Sequence, residues 1–432
     1  MEDIKSVGSK INEVLKKHGV EKAQFWVTQK ETHEFNVDGG EFSLFRTLYD
    51  NGLALTVYHH NKKGSASTNK LTDADLEAAV EGAVTSAESG IADEAYDIAP
   101  KQENQCFHDN GYEPDIDRLF ERMQELMADI RERHPKIMVQ QLIVSHEKVH
   151  SLYQNTNGTE CETFKGKYSV SLMFAGHEGD LTTSFFGSGV MTDNLDRRFI
   201  ELGSLESQLK DAEAQLVTVP FEGKFEGVIV LTPDSLGSLL YSIIGNFASD
   251  GVILEKTSLW LNKLNEKVAD ERLTISMKPS DSRIVNKGHV TADGFLEEDY
   301  DLIKDGVLKS FMLSLYVANK SGFERAKNTS FSVVIEGGTT PYAEILKGIR
   351  KGLIVGRFSG GQPGTNGDFS GVAKNSFLVE DGKITGAVSE TMISGNLADM
   401  LLNLVDISKE TVADGGSVLP YIAFDKVVIS GK

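Results

Sequence analysis

The residues with the most obvious chemical potential are His146, Glu147 and His150. In His146-Glu147-Lys148-Val149-His150 they fit H-E-x-x-H, the pattern of a helical zinc site. That chemistry needs both imidazoles one helical turn apart, so that each ring reaches a single ion at about 2.0–2.1 Å while the glutamate takes a proton from bound water. The surroundings argue against a helix. Residues 139–144 read Val-Gln-Gln-Leu-Ile-Val, a β-prone run without a helix start, and Val149-His150-Ser151-Leu152-Tyr153 leads into an Asn-Gly turn. On one strand, residues four apart lie roughly 13 Å from each other at about 3.3 Å per residue, too far to share an ion. The expectation is a hairpin with both histidines facing solvent and no metal. His59-His60 and His177-Glu178-Gly179-Asp180 read as surface turns. Gly360-Gly361-Gln362-Pro363-Gly364 lacks the lysine and helix of a phosphate loop, and no Gly-x-Ser-x-Gly elbow occurs.

A different stretch has the form of a helix that could present a site. The apolar run Val228-Ile229-Val230-Leu231 predicts a buried strand, followed at once by Thr232 as N-cap, Pro233 in the first turn and Asp234 at the positive end of the helix dipole. Leu236, Leu239, Leu240, Ile243, Ile244 and Phe247 form one stripe of a 3.6-residue helix. Ser235, Ser238, Tyr241, Ser242, Asn246 and Ser249 are expected on the other face, where Gly237 and Gly245 let a second backbone come close.

The elements that must carry these stretches make an α+β chain. Residues 1–90 read as an N-terminal α+β domain, opening with a helix (Ile4, Val7, Ile11, Val14, Leu15) and ending with one that begins near Thr72. Residues 91–220 are expected to hold an acidic linker to about Pro114, a helix stopped by Pro135, antiparallel strands, and a further helix from Leu195 to Leu216. Residues 221–432 read as a large, strand-rich, barrel-like C-terminal domain with hairpin turns at Asp305-Gly306, Asp381-Gly382 and Asp414-Gly415-Gly416.

Composition narrows the function. The 432 residues are 40% hydrophobic and 25% charged, as in a soluble globular protein. No apolar run reaches the roughly 20 residues of a membrane span, and the first residues lack the apolar core of a signal peptide. Two cysteines, Cys106 and Cys161, are too few for a disulfide framework, so a cytoplasmic setting is expected. A net charge of −20 opposes phosphate contacts and argues against nucleic acid.

Four segments together resemble the TldD/PmbA family, also described as modulators of DNA gyrase. They are the N-terminal GLALTVYHHNKKGSASTNKLTDADLEAAVEGAVTSA, the central EEDYDLIKDGVLKSFMLSLYVANKSG, Gly367-Asp368-Phe369-Ser370-Gly371, and Glu390 to Leu397, with the chain closing on Ile429-Ser430-Gly431. The resemblance covers nearly the whole chain in order. It implies a pair of related subunits: a TldD-type chain binding zinc through H-E-x-x-x-H and a distant cysteine for peptide hydrolysis, and a PmbA/TldE-type chain without those ligands. Carried onto this sequence, Tyr241 stands at the first histidine, Ser242 at the glutamate and Asn246 at the second histidine. Residues 413–417, Ala-Asp-Gly-Gly-Ser, supply no cysteine. The resemblance therefore implies no catalytic residue and no metal in this chain. Zinc would belong to a TldD-type partner in a heterodimer, with a homodimer also open. Tyr241, Ser242, Asn246, Gly367, Asp368 and Ser370 become candidates for a groove that holds a peptide substrate. The alternative is a metal-free peptide- or partner-binding homodimer with no hydrolytic activity.

Overall fold

The structure is a computed structural model that describes residues 3–389 and 391–431; Glu390 of the C-terminal signature lies outside them. The first half of the chain runs α1 (Ile4–Lys17), β1 (Lys22–Asp38), β2 (Glu41–His59), β3 (Lys62–Thr68), α2 (Asp73–Ser89), β4 (Gln105–His108), α3 (Ile116–Arg133), β5 (Ile137–Asn155), β6 (Glu160–Glu178) and α4 (Leu205–Ala214). The strands form one sheet in the order β3-β2-β1-β5-β6-β4, extended by short strands that pair with β6. Period-two patterning decides which face is covered. Phe25 and Val27, Leu53, Leu55 and Val57, and Leu152 pack under α1 and α2. Further along, Leu142 and Val144 of β5 and Val170, Leu172 and Phe174 of β6 pack under α3 and α4.

The boundary expected near residue 90 falls within this sheet, because β1 pairs with β2 on one side and β5 on the other. The stretch read as a linker contributes β4, which runs parallel to β6. It also ties the two halves together: Asp93 accepts a hydrogen bond from the Tyr316 hydroxyl at 3.0 Å and an ion pair from Lys320 at 2.8 Å. The helix expected over Leu195–Leu216 is shorter: a single 3-10 turn at Phe199–Glu201 is followed by α4. Gly203, between them at φ +54°, interrupts the run.

The second half is the strand-rich part that the sequence predicts, and its sheet curls into a half-barrel. Strand Val418–Ser430 is central, antiparallel to Lys224–Leu231, Leu404–Ala413 and Thr391–Asn396. Lys224–Leu231 also pairs in parallel with Lys351–Val355, and such a pair requires a crossover, which α5 (Pro233–Phe247) begins. Asp305-Gly306 and Asp381-Gly382 turn tightly with positive φ at both residues (49° and 74°, 47° and 76°), the backbone a type I′ hairpin demands.

Candidate functional site

α5 forms where local chemistry places it. The Thr232 side chain accepts a hydrogen bond from the Ser235 backbone N–H, and Pro233 occupies the first turn. All six stripe residues, Leu236 to Phe247, are buried against Ile229, Leu231, Leu353, Val355, Ile422 and Phe424. One expected outer residue is not outside: Ser235 is 2% exposed, and its Oγ lacks a partner among the described residues. It lies one turn before Leu239 and so shares the buried flank.

On the polar face, Tyr241 is 70% exposed, with its ring centroid 5.7 Å from that of Phe331. The Ser242 hydroxyl donates to the Ser238 carbonyl at 3.3 Å. Asn246 Nδ2 donates to the Pro363 carbonyl at 3.1 Å, which joins α5 to the glycine-bearing segment 359–371. Gly367 sits at φ +83°, where a Cβ would meet Asn396 Oδ1 at 2.9 Å and Phe247 Cζ at 3.1 Å, so only glycine suits this close approach. Asp368 accepts from Asn396 Nδ2 at 2.9 Å, and Ser370 is exposed on strand Asp368–Lys374. The structure thus brings Asn246 to this segment. No hydrogen bond joins Tyr241 or Ser242 to it among the described residues.

The loop at 413–417 closes on itself. Asp414 Oδ1 accepts from the backbone N–H of Gly416 at 2.8 Å and of Ser417 at 2.6 Å. Its charge also bears on Asp234, which sets the loop near the start of α5.

The H-E-x-x-H run lies wholly within β5, as its β-prone surroundings require. Its histidines do not face solvent, however. His146 is fully buried, its Nε2 2.7 Å from the Gly111 carbonyl. Burial lowers its pKa, against the pull of that carbonyl bond. The cover is the 109–113 segment, which can approach because Gly166 has no side chain: a Cβ there would stand 2.0 Å from the Gly111 carbonyl oxygen. His150 is half-buried and contacts Glu162 at 2.9 Å, while Glu147 pairs with Lys30 at 3.4 Å and Lys167 at 3.7 Å. Each member of the motif has its own partner.

The family model for the PmbA/TldA metallopeptidase C-terminal domain matches residues 225–431, and the model for domain 1 of the same family matches residues 27–87. The chain belongs to the PmbA/TldD family. Among curated relatives, it is 26% identical over 410 residues to the metalloprotease PmbA of Escherichia coli O157:H7, covering 90% of this chain and 86% of that protein. It is 21% identical over 381 residues to the zinc metalloprotease TldD homolog of Saccharolobus solfataricus, covering 84% and 83%. The crystal structure of TldE from Thermococcus kodakarensis superimposes with a TM-score of 0.85 at 20% identity, covering 98% of this chain and 100% of that one, and so shares the fold.

PmbA/TldD membership raises the question of zinc, and the donor set on α5 does not fit it. Tyr241 offers a phenol, Ser242 a hydroxyl, and Asn246 an amide whose nitrogen is already committed to Pro363. Such neutral groups hold zinc poorly beside imidazole or thiolate, and no carboxylate stands at 242 to act as base. Among the described residues, no group of three or more His, Cys, Asp or Glu could hold a metal ion.

Proposed function

We propose that this chain is the metal-free, PmbA/TldE-type subunit of a cytoplasmic metallopeptidase assembly, acting beside a TldD-type subunit that holds the zinc and hydrolyses peptides. The observation that carries this reading is the polar face of α5, where a well-formed helix presents Tyr241, Ser242 and Asn246 in place of metal ligands. In this reading Asn246, Gly367, Asp368 and Ser370 are the residues that meet an extended peptide, which can pair its backbone with a strand edge and so bind with little sequence preference. The association is supported by an exposed apolar cluster on β2, where Phe42, Phe45 and Tyr49 are 52%, 46% and 65% exposed. No helix among the described residues is long and apolar enough to cross a membrane.

The test is co-expression with a TldD-type chain, followed by size-exclusion chromatography and a peptidase assay on unstructured peptides. The expected result is a stable complex burying more than about 1,200 Å² and an activity that this chain lacks alone. If the chains neither associate nor gain activity together, the metal-free peptide-binding homodimer takes the place of this reading.

A further inference from the structure

Between α4 and the first turns of α5 lies a cavity of about 610 Å³, well inside the size range of small-molecule sites. Asp211 from α4 and Asp234 from α5 both line it. Burial pushes the Asp211 carboxyl up to about 6, and the charge of Asp234 adds to the push. Asp234 is also raised by burial and by Asp414, although Gln208 and Ser204 oppose the rise. Among the described residues, no lysine, arginine or histidine is among the groups that act most strongly on either carboxyl. The two cations in the wall are turned elsewhere: Lys210 pairs with Glu206 at 3.2 Å, and Arg357 rests over the Phe185 ring at 5.0 Å. Gln208, in the same wall, has its Oε1 buried with no hydrogen-bond partner among the described residues. Asp234 takes donors from Gln208 and Ser204, but among the described residues no hydrogen bond acts on the Asp211 carboxyl and the Gln208 Oε1 is without a donor, and such buried acceptors are rare in folded proteins unless something else supplies one.

The remainder of the wall suits an apolar body. Tyr342 and Tyr421 stack with centroids 4.2 Å apart at 29°, beside Phe377. Burial raises both phenols, Tyr421 to about 12, so they stay neutral across the physiological range. Aromatic faces next to carboxylates form the usual cradle for an organic cation.

We propose that this cavity binds a ligand carrying a primary ammonium on an aromatic or aliphatic body, with the ammonium among Asp211, Asp234 and Gln208 and the body against Tyr342, Tyr421 and Phe377. The site is independent of the peptidase reading. A free amine and the amino terminus of a short peptide share this chemistry, so both are tested.

The experiment is calorimetric titration of the full chain at pH 7.5 with tyramine, its neutral isostere 4-ethylphenol, and the peptide Tyr-Gly-Gly with a free or acetylated amino terminus. Tyramine should bind one per chain, and 4-ethylphenol about tenfold more weakly or worse. Free Tyr-Gly-Gly binding beyond its acetylated form assigns the site to peptide termini; tyramine alone binding assigns it to free amines. Asp211→Asn and Asp234→Asn should each weaken tyramine about tenfold without lowering the melting temperature, and Gln208→Leu should weaken it less. Absence of heat with millimolar tyramine, equal binding of 4-ethylphenol, or indifference to both aspartate variants would overturn the assignment. So would magnesium or calcium binding without tyramine binding, which would make it a metal-only site.

Discussion

β5 has the ligand types that a zinc site needs and α5 has a helical backbone that could present such ligands, and neither element has both. β5 has the ligand types at the right spacing, His146-Glu147-Lys148-Val149-His150, on a backbone that separates them and ties each to its own partner. α5 has the right backbone, a capped helix with a buried stripe and an open polar face, and carries Tyr241, Ser242 and Asn246 there. The contrast shows that a ligand pattern has chemical meaning only with its secondary structure. A four-residue spacing is about 6 Å along a helix and about 13 Å along a strand.

The sharpest break in this comparison would come from the buried side of α5. Leu240→Ala or Ile243→Ala should cost about 2–5 kcal/mol through lost burial and an unfilled cavity, read by denaturant unfolding. Tyr241→Ala on the open face should cost under about 1 kcal/mol. Equal losses would mean the two faces had been exchanged.

The next largest effect distinguishes the two histidines of β5. His146→Ala should cost about 1–3 kcal/mol, because it strips a partner from the Gly111 carbonyl and opens space beside Tyr168, whose ring lies 4.6 Å away. The half-buried His150 should cost less than about 1 kcal/mol when changed to alanine. Neither variant should alter the zinc content of the purified, dialysed chain, which is expected to be sub-stoichiometric by elemental analysis. One tightly held zinc per chain, lost with these histidines, would restore β5 as a metal site.

A smaller effect concerns pH. The Asp211 carboxyl is raised to about 6 in the folded chain, so the fold favours its protonated form. That contribution is fully present below the unfolded value near 3.9 and is lost as pH rises through about 6. Asp211→Asn should therefore gain on the order of 1 kcal/mol over the parent above pH 7, discounted for water in the cavity, and nothing near pH 4. Melting curves at both pH values check the sign. A gain at pH 4 alone would reverse it.

Much of the fold was legible because its signals are local. The stripe from Leu236 to Phe247, the cap at Thr232 and the β-prone run before His146 each lie within a few residues, and the elements formed where they pointed. The helix expected over Leu195–Leu216 failed at Gly203, whose positive φ no stripe of apolar residues reveals. The stretch before Pro114 read as a linker because β4 spans only Gln105–His108, too short for its pattern to stand out.

What the sequence by itself determined is the type of most long elements, the buried stripe of α5 and the residue types Tyr241, Ser242 and Asn246 on its other face; of β2 it showed only the part from Gly52 to Tyr58. Side-chain chemistry and short-range periodicity suffice for those. The tertiary structure decided the rest. His146 is buried only because Gly111 crosses over Gly166, a contact between segments 55 residues apart by their numbers. The cavity exists only because α4, the start of α5, Tyr342 and Tyr421 meet, and no local pattern in any of them announces the others. Burial and opposed charge are sums over neighbours, and neighbours are what the chain acquires by folding.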